Sequence, residues 1–566
     1  MVMKSAYEER PWLKHYPTGM RHDVEVPPTS VGDVFDKAVE KWDKKTAMYY
    51  YGNQISYREL GEKVNRLANA LSQLGLKKGD RIAFLLLNSP EFVISFFAAA
   101  KLGIIITPIS PVYVSSEIKH QLLDSGARSM ICQDILYEGF EKTGVELDHV
   151  ILTNISESLP KLKKMMGKSI LRGVYQKMAA PTPQIFEREG LHRLQDIMNA
   201  SEPVTPKVHI DSNQDILSLH YTGGTTGPPK GVMISHYSVV ANYYQCREFA
   251  PELIDGKETI VNFMPYYHVG GQANIVNALF SGYSLVVITT PDVDDILNAM
   301  VKTGATYFMS APTMYEMLKD YEKTDRVNWK KLKYINCGAD SLHEFTARDW
   351  EERTGSKITE GYGLTEATYG THGNLLGKQK YGSIGIPMPS TWSAIIDVDA
   401  DQFLPVGETG ELVISGPQIT RGYWNSPEAT KECESFIDER RWWRTGDLGN
   451  MEADGYFYIY DRKRDLIKYK GLKVFAREVE EVLKECPDVK EVGVVGVPDD
   501  KVGQNVKAVI VLESDARGRV SESDIVEYCK DKLAYYKIPR IIDFAGEIPK
   551  TDVGKVSRRE IRVEED

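Results

Sequence analysis

The sequence predicts an α/β protein with a large N-terminal domain, built from doubly wound α/β subdomains and a β-rich subdomain, and a small α+β C-terminal domain. Three observations support this fold class. The chain has 566 residues, too many for one ordinary core, so two or more domains are expected. Short apolar runs alternate with segments of helical periodicity in its first half. From Ser393 onward, short runs separated by glycine-containing turns replace that alternation.

The first alternating stretch spans 30–126. Residues 60–76 place apolar side chains at helical spacing and predict a helix that ends near Gly75. Residues 81–87 form a short apolar run between turn residues and predict a buried strand, and residues 91–102 predict the next helix. Buried strands that alternate with helices are typical of a doubly wound layer.

The later elements are predicted from the same patterns. Strands of a second alternating stretch follow Val261, at 284–289, 307–309 and 334–336. Antiparallel strands of the β-rich part are predicted at 393–398, 411–415 and 456–460. In the tail we expect a helix, two strands and a helix, at 476–485, 489–497, 506–513 and 521–533. The charged residues 461–465 precede this tail, so we predict one domain over 1–461 and another over 462–566.

Composition and charge argue against several classes of protein. The chain is 42% hydrophobic and 26% charged with a formal net charge of −11, so nucleic acid is not an expected partner. The six cysteines have no metal-ligand spacing and are predicted to be reduced thiols. The N-terminus lacks the apolar segment of a secretory signal, and the apolar stretch 92–106 is too short to span a membrane. We therefore expect a cytoplasmic protein.

One segment, 161–178, is basic and amphipathic inside an acidic chain. One interpretation is a solvated surface helix. The other is peripheral attachment to the inner face of an anionic membrane or to acyl-chain aggregates.

The strongest motif is the string YTGGTTGPPKG at 221–231. Its glycines let backbone amides approach a polyphosphate, its threonines donate hydroxyl hydrogen bonds, and its lysine supplies positive charge. It is no Walker A loop, because Pro228 follows Gly227. A structural turn would scarcely need so many hydroxyls, so we predict that a polyphosphate is bound by Thr222, Gly223, Gly224, Thr225, Thr226, Gly227 and Lys230.

Together with four motifs downstream, this string resembles the adenylate-forming superfamily of acyl-CoA synthetases, luciferases and peptide-synthetase adenylation domains. The resemblance covers nearly the whole chain, in the superfamily's motif order. Segments 11–17 and 110–117 resemble the branch of medium- and long-chain fatty-acid–CoA ligases. The resemblance implies that an acid, ATP and coenzyme A become acyl-CoA, AMP and pyrophosphate through an acyl-adenylate. It also implies that the C-terminal domain is mobile.

The second motif is GYGLTE at 361–366. The resemblance assigns Thr365 to the α-phosphate, Glu366 to Mg²⁺ and Tyr362 to a place beside the adenine. A carboxylate suits Mg²⁺, which prefers oxygen ligands. The resemblance also assigns nucleotide binding to Gly361, Gly363, Gly338, Ala339 and Asp340. Taken alone, each of these strings would be as consistent with a turn.

The last three motifs lie near and beyond the charged break. The resemblance assigns Asp447 and Arg462 to the ribose, and Gly471 to the tunnel for the pantetheine arm of coenzyme A. The hinge position, usually Asp or Lys, is here Arg464. Lys555 matches the lysine that stabilises the transition state of adenylation, where two anions meet. Without their motifs, such residues would be interpreted as solvated surface groups.

His268 matches a residue near the acyl carboxylate, where it would gate the acyl channel or guide the thiol; a structural histidine is the alternative. Four glycines either line a long acyl channel or only form turns: Gly270, Gly271, Gly370 and Gly373.

Several alternatives stay open at this stage. The acid could be a short, hydroxy or aryl acid, and the acceptor could be a carrier protein. An oxygenase of the luciferase kind and a non-catalytic nucleotide- or acyl-binding protein are the other rivals. The presence of Lys555, Glu366 and Thr365 together favours an enzyme over a binder. The protein is expected to be a monomer or homodimer.

Overall fold

The computed structural model describes residues 6–160, 188–222, 228–470, 472–499, 501–550 and 556–563. The basic segment 161–178, most of the phosphate loop, Gly471 and Lys555 lie outside the described residues. No helix in the described ranges is long and apolar enough to cross a membrane.

Helices and strands are numbered along the described chain. The helices are α1 (Val31–Trp42), α2 (Tyr57–Gln73), α3 (Pro90–Leu102), α4 (Ser115–Ser125), α5 (Tyr137–Glu141), α6 (Leu194–Ala200), α7 (His236–Phe249), α8 (Val269–Phe280), α9 (Val293–Thr303), α10 (Pro312–Asp320), α11 (Glu344–Thr354), α12 (Pro427–Glu432), α13 (Ala476–Lys484), α14 (Glu522–Lys530) and α15 (Arg558–Val563).

The strands are β1 (Thr46–Tyr50), β2 (Asn53–Ser56), β3 (Arg81–Leu85), β4 (Ile105–Pro108), β5 (Ser129–Gln133), β6 (His149–Thr153), β7 (Leu191–Arg193), β8 (Ile216–Thr222), β9 (Lys230–Ser235), β10 (Thr259–Asn262), β11 (Ser284–Val287), β12 (Tyr307–Ser310), β13 (Tyr334–Cys337), β14 (Thr359–Gly363), β15 (Gly370–Gly373), β16 (Ile386–Pro387), β17 (Trp392–Ile396), β18 (Gly410–Ser415), β19 (Glu434–Ile437), β20 (Arg440–Met451), β21 (Phe457–Arg462), β22 (Ile467–Tyr469), β23 (Leu472–Val474), β24 (Val489–Asp499), β25 (Gly503–Leu512) and β26 (Ile541–Phe544).

The chain divides into two compact units. The first comprises Met1–Pro11, Ser393–Ile414 and Glu434–Asp566, and the second comprises Trp12–Trp392 and Ser415–Cys433. The first unit therefore contains both the predicted β-rich part and the predicted C-terminal domain. A boundary at 461/462 stays a prediction.

The second unit contains the two α/β sheets, and the predicted α/β fold class is confirmed. Within the described residues, a nine-stranded sheet has the order β16-β15-β14-β13-β12-β10-β11-β1-β2, and a seven-stranded sheet has the order β7-β6-β5-β3-β4-β8-β9. Neighbours from β14 to β1 and from β7 to β8 pair in parallel. The pairs β16–β15, β15–β14, β1–β2 and β8–β9 are antiparallel. Parallel strands carry functional loops at their carboxyl ends.

Helix α3 shows why the apolar stretch near residue 100 belongs to a core. Every residue of α3 except Lys101 is buried, and its Phe97 ring stacks on Phe35 of α1 at 4.0 Å. One core cluster includes residues of both sheets, such as Phe84 and Leu285, together with this helix. Burial on all sides explains a helix that is apolar all round.

The predicted helix at 60–76 is displaced toward its N-terminus. It begins at Tyr57, because the Ser56 hydroxyl accepts a hydrogen bond from the Glu59 amide and the Glu59 carboxylate accepts one from the Ser56 amide. It ends at Gln73, and Gly75 then adopts a positive φ of 92°. Ser56 and Glu59, which cap the helix, precede the apolar pattern at 60–76 that predicted it, so the predicted start was too late.

The first unit contains two five-stranded sheets among its described residues. The β-rich part has the order β17-β18-β20-β19 with β21 beside β20. Strand β20 pairs antiparallel with β18, β19 and β21, as predicted. The tail has the order β23-β22-β25-β24 with β26 beside β25, and with α13 packed against β24. Strand β21 runs into the charged break as far as Arg462, and a 3₁₀ turn follows at Lys463–Asp465.

Candidate active site

The ends of the phosphate loop are joined by a β-hairpin. Strands β8 and β9 pair antiparallel with Thr222 opposite Lys230, so the two predicted phosphate-binding residues at the loop ends face each other. The other predicted phosphate-binding residues, 223–227, lie outside the described residues. The hairpin register therefore places the Thr222 hydroxyl and the Lys230 ammonium on neighbouring strands, at the base of the loop.

Helix α4 supports both ends of this hairpin loop. The Tyr221 hydroxyl donates to Oδ2 of Asp124 at 2.5 Å, and burial raises the pKa of Tyr221. Nε2 of His120 lies 3.1 Å from the carbonyl oxygen of Pro229, and the Trp424 indole donates to the Asp124 carbonyl at 3.2 Å. The sequence interpretation missed these contacts, because they join distant positions.

The GYGLTE motif occupies a second hairpin. Gly361 pairs with Gly373 and Tyr362 with His372 across β14 and β15. A Cβ at Gly363 would overlap the carbonyl oxygen of Tyr369, so only glycine allows this close approach of the two strands. The hairpin is therefore tight because of its glycines, and Tyr362 projects from a fixed backbone.

Thr365 and Glu366 lie in a 3₁₀ turn directly after this hairpin strand. The Thr365 side chain is buried, and the carbonyl oxygen of Glu366 accepts a hydrogen bond from the Thr420 amide at 2.7 Å. Oε1 of Glu366 accepts a hydrogen bond from the Tyr423 hydroxyl at 2.7 Å. Burial, together with the Glu366 charge, raises the pKa of Tyr423. The sequence interpretation missed Tyr423, since no motif marked it.

The predicted adenine-lining loop follows β13, the strand beside β14. These strands pair in parallel, so their loops emerge at the same sheet edge. The Gly338 amide donates to the Ser310 carbonyl at 3.1 Å, and Ala339 adopts a left-handed φ of 71°. A non-glycine residue in this conformation is strained and is typical of functional loops. The side chain of Asp340 is exposed.

The donor set around Glu366 suits Mg²⁺ held partly by a nucleotide. Among the described residues there is no cluster of three or more groups that could hold a metal alone. Mg²⁺ on ATP usually needs only one or two carboxylates plus the phosphates. A single fixed carboxylate near Thr365 and Lys230 fits that requirement.

Two histidines lie near the start of α8. Nδ1 of His268 accepts a hydrogen bond from the Gly270 amide at 3.2 Å and caps this helix. His220 is buried, and its Nε2 lies 3.1 Å from Oε1 of Gln272. Burial and the neighbouring His268 lower the pKa of His220 to about 3, so His220 is neutral. The sequence interpretation missed His220, which lies in the buried run 217–220 of β8.

A cavity of about 390 Å³, measured with its open mouth, lies beside these histidines. Its lining residues are Phe96, Ser218, His220, Ile234, Val239, Asn242, Tyr243, Val269, Gln272, Ala273, Val276, Asn277, Thr368 and Tyr369.

None of the four glycines proposed for an acyl channel is among these lining residues. A Cβ at Gly271 would overlap the Pro265 carbonyl oxygen, and one at Gly373 would meet the Phe249 ring at 2.9 Å. At these two positions glycine allows close packing between neighbouring segments.

In the first unit, Asp447 and Arg462 face each other. They are paired across β20 and β21, and Nε of Arg462 lies 2.6 Å from Oδ1 of Asp447. The Asp447 amide also donates to the Thr445 hydroxyl at 3.0 Å. The structure thus brings the two predicted ribose-binding residues together.

Arg464, at the predicted hinge, lies in the 3₁₀ turn after β21. Its Nε lies 3.6 Å from Oδ2 of Asp465, and burial together with Arg462 lowers its pKa. The Arg464 side chain is exposed, with 44% of its surface accessible. Gly471 and Lys555 lie outside the described residues, so their predicted roles stay predictions.

Comparison with known families matches most of the chain. Residues 35–424 match the model of the AMP-binding enzyme family, and residues 478–555 match the AMP-binding enzyme C-terminal domain.

Individual relatives agree over nearly the full length. The chain is 34% identical to a long-chain-fatty-acid–CoA ligase of Bacillus subtilis (strain 168), with 98% of each chain covered. It is 32% identical to one of Escherichia coli O6:H1, again with 98% of each covered. Among solved structures, ATP-bound MatB from Rhodopseudomonas palustris has a TM-score of 0.80 at 25% identity, covering 95% of this chain and 99% of MatB.

Proposed function

The chain belongs to the AMP-binding enzyme family, and we propose that it is an AMP-forming acyl-CoA ligase for medium- or long-chain fatty acids. ATP and coenzyme A as co-substrates fit this family. One observation carries the proposal: the phosphate-side residues Thr365 and Glu366 lie three residues before Thr368 and Tyr369, which line the cavity. An acid in that cavity would present its carboxylate where the nucleotide phosphates are bound.

In the first half-reaction the acid's carboxylate oxygen attacks the α-phosphorus of ATP. The bond from the α-phosphorus to the bridging oxygen breaks, and pyrophosphate leaves. Thr222, Lys230 and Thr365 would hold the phosphates, and Glu366 would hold Mg²⁺, which supplies charge neutralisation when bound. Catalysis is then chiefly a matter of positioning and of stabilising developing charge.

In the second half-reaction the thiol of coenzyme A attacks the acyl carbonyl and AMP leaves. Asp447 and Arg462 would hold the ribose in both steps. By the family resemblance, Lys555 serves only the first step and Gly471 borders the path of the thiol in the second. Rotation of the C-terminal domain at Arg464 would remove Lys555 from the site and bring Gly471 to it.

The acid is proposed from the cavity and the relatives. Apolar side chains from α3, β9 and α8 line one part of the cavity, which suits an alkyl chain. Polar groups such as Asn242 and Asn277 line another part and favour a second candidate, a hydroxy or aryl acid. A feruloyl-CoA synthase of Amycolatopsis sp, 28% identical over 91% of this chain, supports that candidate.

The substrate test is coenzyme A-dependent AMP formation across linear acids from two to eighteen carbons, with hydroxy and aryl acids alongside. A maximum at eight or more carbons is expected. A maximum at aryl or short acids would replace the proposed substrate while keeping the reaction. If none of the acids yielded AMP, the ligase proposal would be rejected.

Two variants separate the half-reactions. Lys555→Ala should slow pyrophosphate exchange by about 100- to 1,000-fold, the cost of losing one transition-state charge partner, and should spare thioester formation from supplied acyl-adenylate. Gly471→Leu should do the reverse, since a side chain there would obstruct the thiol. If both variants slowed both steps equally, the division of roles would be wrong.

Location and assembly are also proposals. All six cysteines are free thiols, which supports a reducing compartment such as the cytoplasm. Peripheral contact of segment 161–178 with a membrane, and a monomeric or homodimeric state, are testable by vesicle sedimentation and light scattering.

A further inference from the structure

Tyr423 touches both charged groups of the phosphate side. Its hydroxyl donates to Oε1 of Glu366 at 2.7 Å, and Nζ of Lys230 lies 5.7 Å from the centre of its ring. We propose that Tyr423 is a positioning residue that holds the Glu366 carboxylate and the Lys230 ammonium apart and aimed at the metal–nucleotide complex. The inference rests on the proposed nucleotide site.

The backbone of Tyr423 is attached to the hairpin that carries Lys230. Tyr423 forms a β-bridge with Val232, and the Trp424 amide donates to the Gly231 carbonyl at 2.7 Å. The Tyr423 amide donates to the Thr430 hydroxyl at 2.9 Å. The ring is therefore set at a fixed distance from the strand that begins with Lys230.

Glu366 is attached to the same segment through its backbone. The Thr420 amide donates to the Glu366 carbonyl at 2.7 Å, so both the main chain and the side chain of Glu366 contact the strip 420–423. A glutamate side chain otherwise has several rotamers, and ordering it costs conformational entropy. The Tyr423 hydroxyl selects one rotamer and occupies Oε1, which leaves Oε2 for a metal.

Without Tyr423, the Glu366 carboxylate and the Lys230 ammonium could pair with each other. In the structure both groups contact Tyr423: Oε1 of Glu366 accepts from its hydroxyl at 2.7 Å, and Nζ of Lys230 lies 5.7 Å from the centre of its ring. If the hydroxyl were removed, the carboxylate would be able to turn toward the ammonium. Both groups would then be less available to Mg²⁺ and phosphate, because an ion pair must be broken before either can bind a ligand.

The test replaces the hydroxyl alone. Tyr423→Phe keeps the ring over Lys230 and removes the donor to Glu366. We expect about tenfold weaker Mn²⁺ binding to the enzyme–ATP complex, measured by electron paramagnetic resonance, because a hydrogen bond to a charged group is lost. The Mg²⁺ concentration for half-maximal pyrophosphate exchange should rise by the same factor, and excess Mg²⁺ should restore the rate.

Tyr321 offers a control in which the lysine and the carboxylate are already paired, since Nζ of Lys323 lies 2.6 Å from Oδ2 of Asp294. The Tyr321 hydroxyl donates to Oδ1 of Asp294 at 2.8 Å, and Nζ of Lys323 lies 5.6 Å from the centre of the Tyr321 ring. Tyr321→Phe therefore removes the same kind of contact elsewhere and should leave Mn²⁺ binding unchanged. Thr430→Val, which removes the acceptor of the Tyr423 amide, should also weaken Mn²⁺ binding, but by less than Tyr423→Phe. If Tyr423→Phe does not fold, this variant provides the test.

Mn²⁺ binding by Tyr423→Phe equal to wild type would overturn the inference, even if the rate fell. A rate loss that excess Mg²⁺ does not restore would also overturn it, because Tyr423 would then act on something other than the metal. The binding arm needs no acid, so it remains informative if no acid yields AMP and the proposed ligase activity is rejected.

Discussion

The carboxylate of Asp447 is buried and bonded to a guanidinium. Its side chain is 3% exposed, and its partner Arg462 is 44% exposed. The backbone of both residues belongs to one antiparallel pair, so the carboxylate has a defined direction. A vicinal diol could donate two hydrogen bonds to such a group, which is how acidic side chains commonly hold a ribose.

Asp447→Asn tests that role. The amide keeps the size of the side chain but loses an acceptor and the ion pair with Arg462. The KM for ATP in pyrophosphate exchange should rise about 10- to 100-fold, since a hydrogen bond to a charged group contributes roughly 1.5–3 kcal/mol. Asp401→Asn, whose carboxylate pairs with Arg444 in the same unit, serves as the control. A KM for ATP unchanged from wild type would refute the ribose assignment.

At the scale of elements, helix α15 carries the guanidinium that balances a buried acidic cluster. Arg558 donates to Asp461, Asp465 and Glu480 at 2.6–3.4 Å. Burial raises the pKa of Asp461 and of Glu480, and Arg558 opposes that rise. The guanidinium thus links β21, the 3₁₀ turn after it and α13 to the segment that follows Lys555 in sequence.

Removing that charge should destabilise the first unit. Arg558→Met leaves the buried carboxylates without their main partner, and losing one side of a buried ion pair typically costs about 3–5 kcal/mol. Hydrogen exchange in α13 and the thermal midpoint of the first unit report the loss. Arg562→Met removes a more exposed arginine that pairs with Asp465 and should cost less. Equal effects of the two variants would argue against a special role for Arg558.

At the scale of the whole molecule, buried neutral histidines make stability depend on pH. Burial lowers the pKa of His220 and His372 to about 3 and that of His236 to about 4. Unfolded histidines titrate near 6.5, so unfolding takes up protons below that pH. The stability of the second unit is therefore retained above pH 6.5 and decreases as the pH falls toward 4. Each histidine contributes about 2 kcal/mol of that loss at pH 5.

Glu91 acts in the opposite direction. Burial raises the pKa of Glu91 to about 7. Its contribution to the stability of the fold is therefore fully present below its ordinary pKa of 4.5 and is lost as the pH rises through 7. Glu91→Gln removes this opposing effect. In that variant the thermal midpoint should fall steadily from pH 7 to pH 5, more steeply than in wild type. A flat midpoint over this range would show that the histidines are not buried in neutral form.

The sequence by itself determined the α/β class, the order of the elements and the motifs. These depend on local information, namely apolar periodicity, turn residues and short contiguous motifs. Helix ends shifted where a cap such as Ser56 lay outside the periodic pattern. The choice of Thr365, Glu366 and Asp447 came from the resemblance of their motifs to the adenylate-forming superfamily, since each string taken alone would be as consistent with a turn.

Only the tertiary structure decided which groups act on those residues. Tyr423 reaches Glu366 across 57 positions, and Arg558 reaches Asp461 across 97. The cavity likewise combines side chains from β8, α7 and α8. Such contacts depend on sheet order and on crossovers between strands, which bring distant segments together. No local pattern along the chain encodes them, because the two residues of each contact are far apart in sequence.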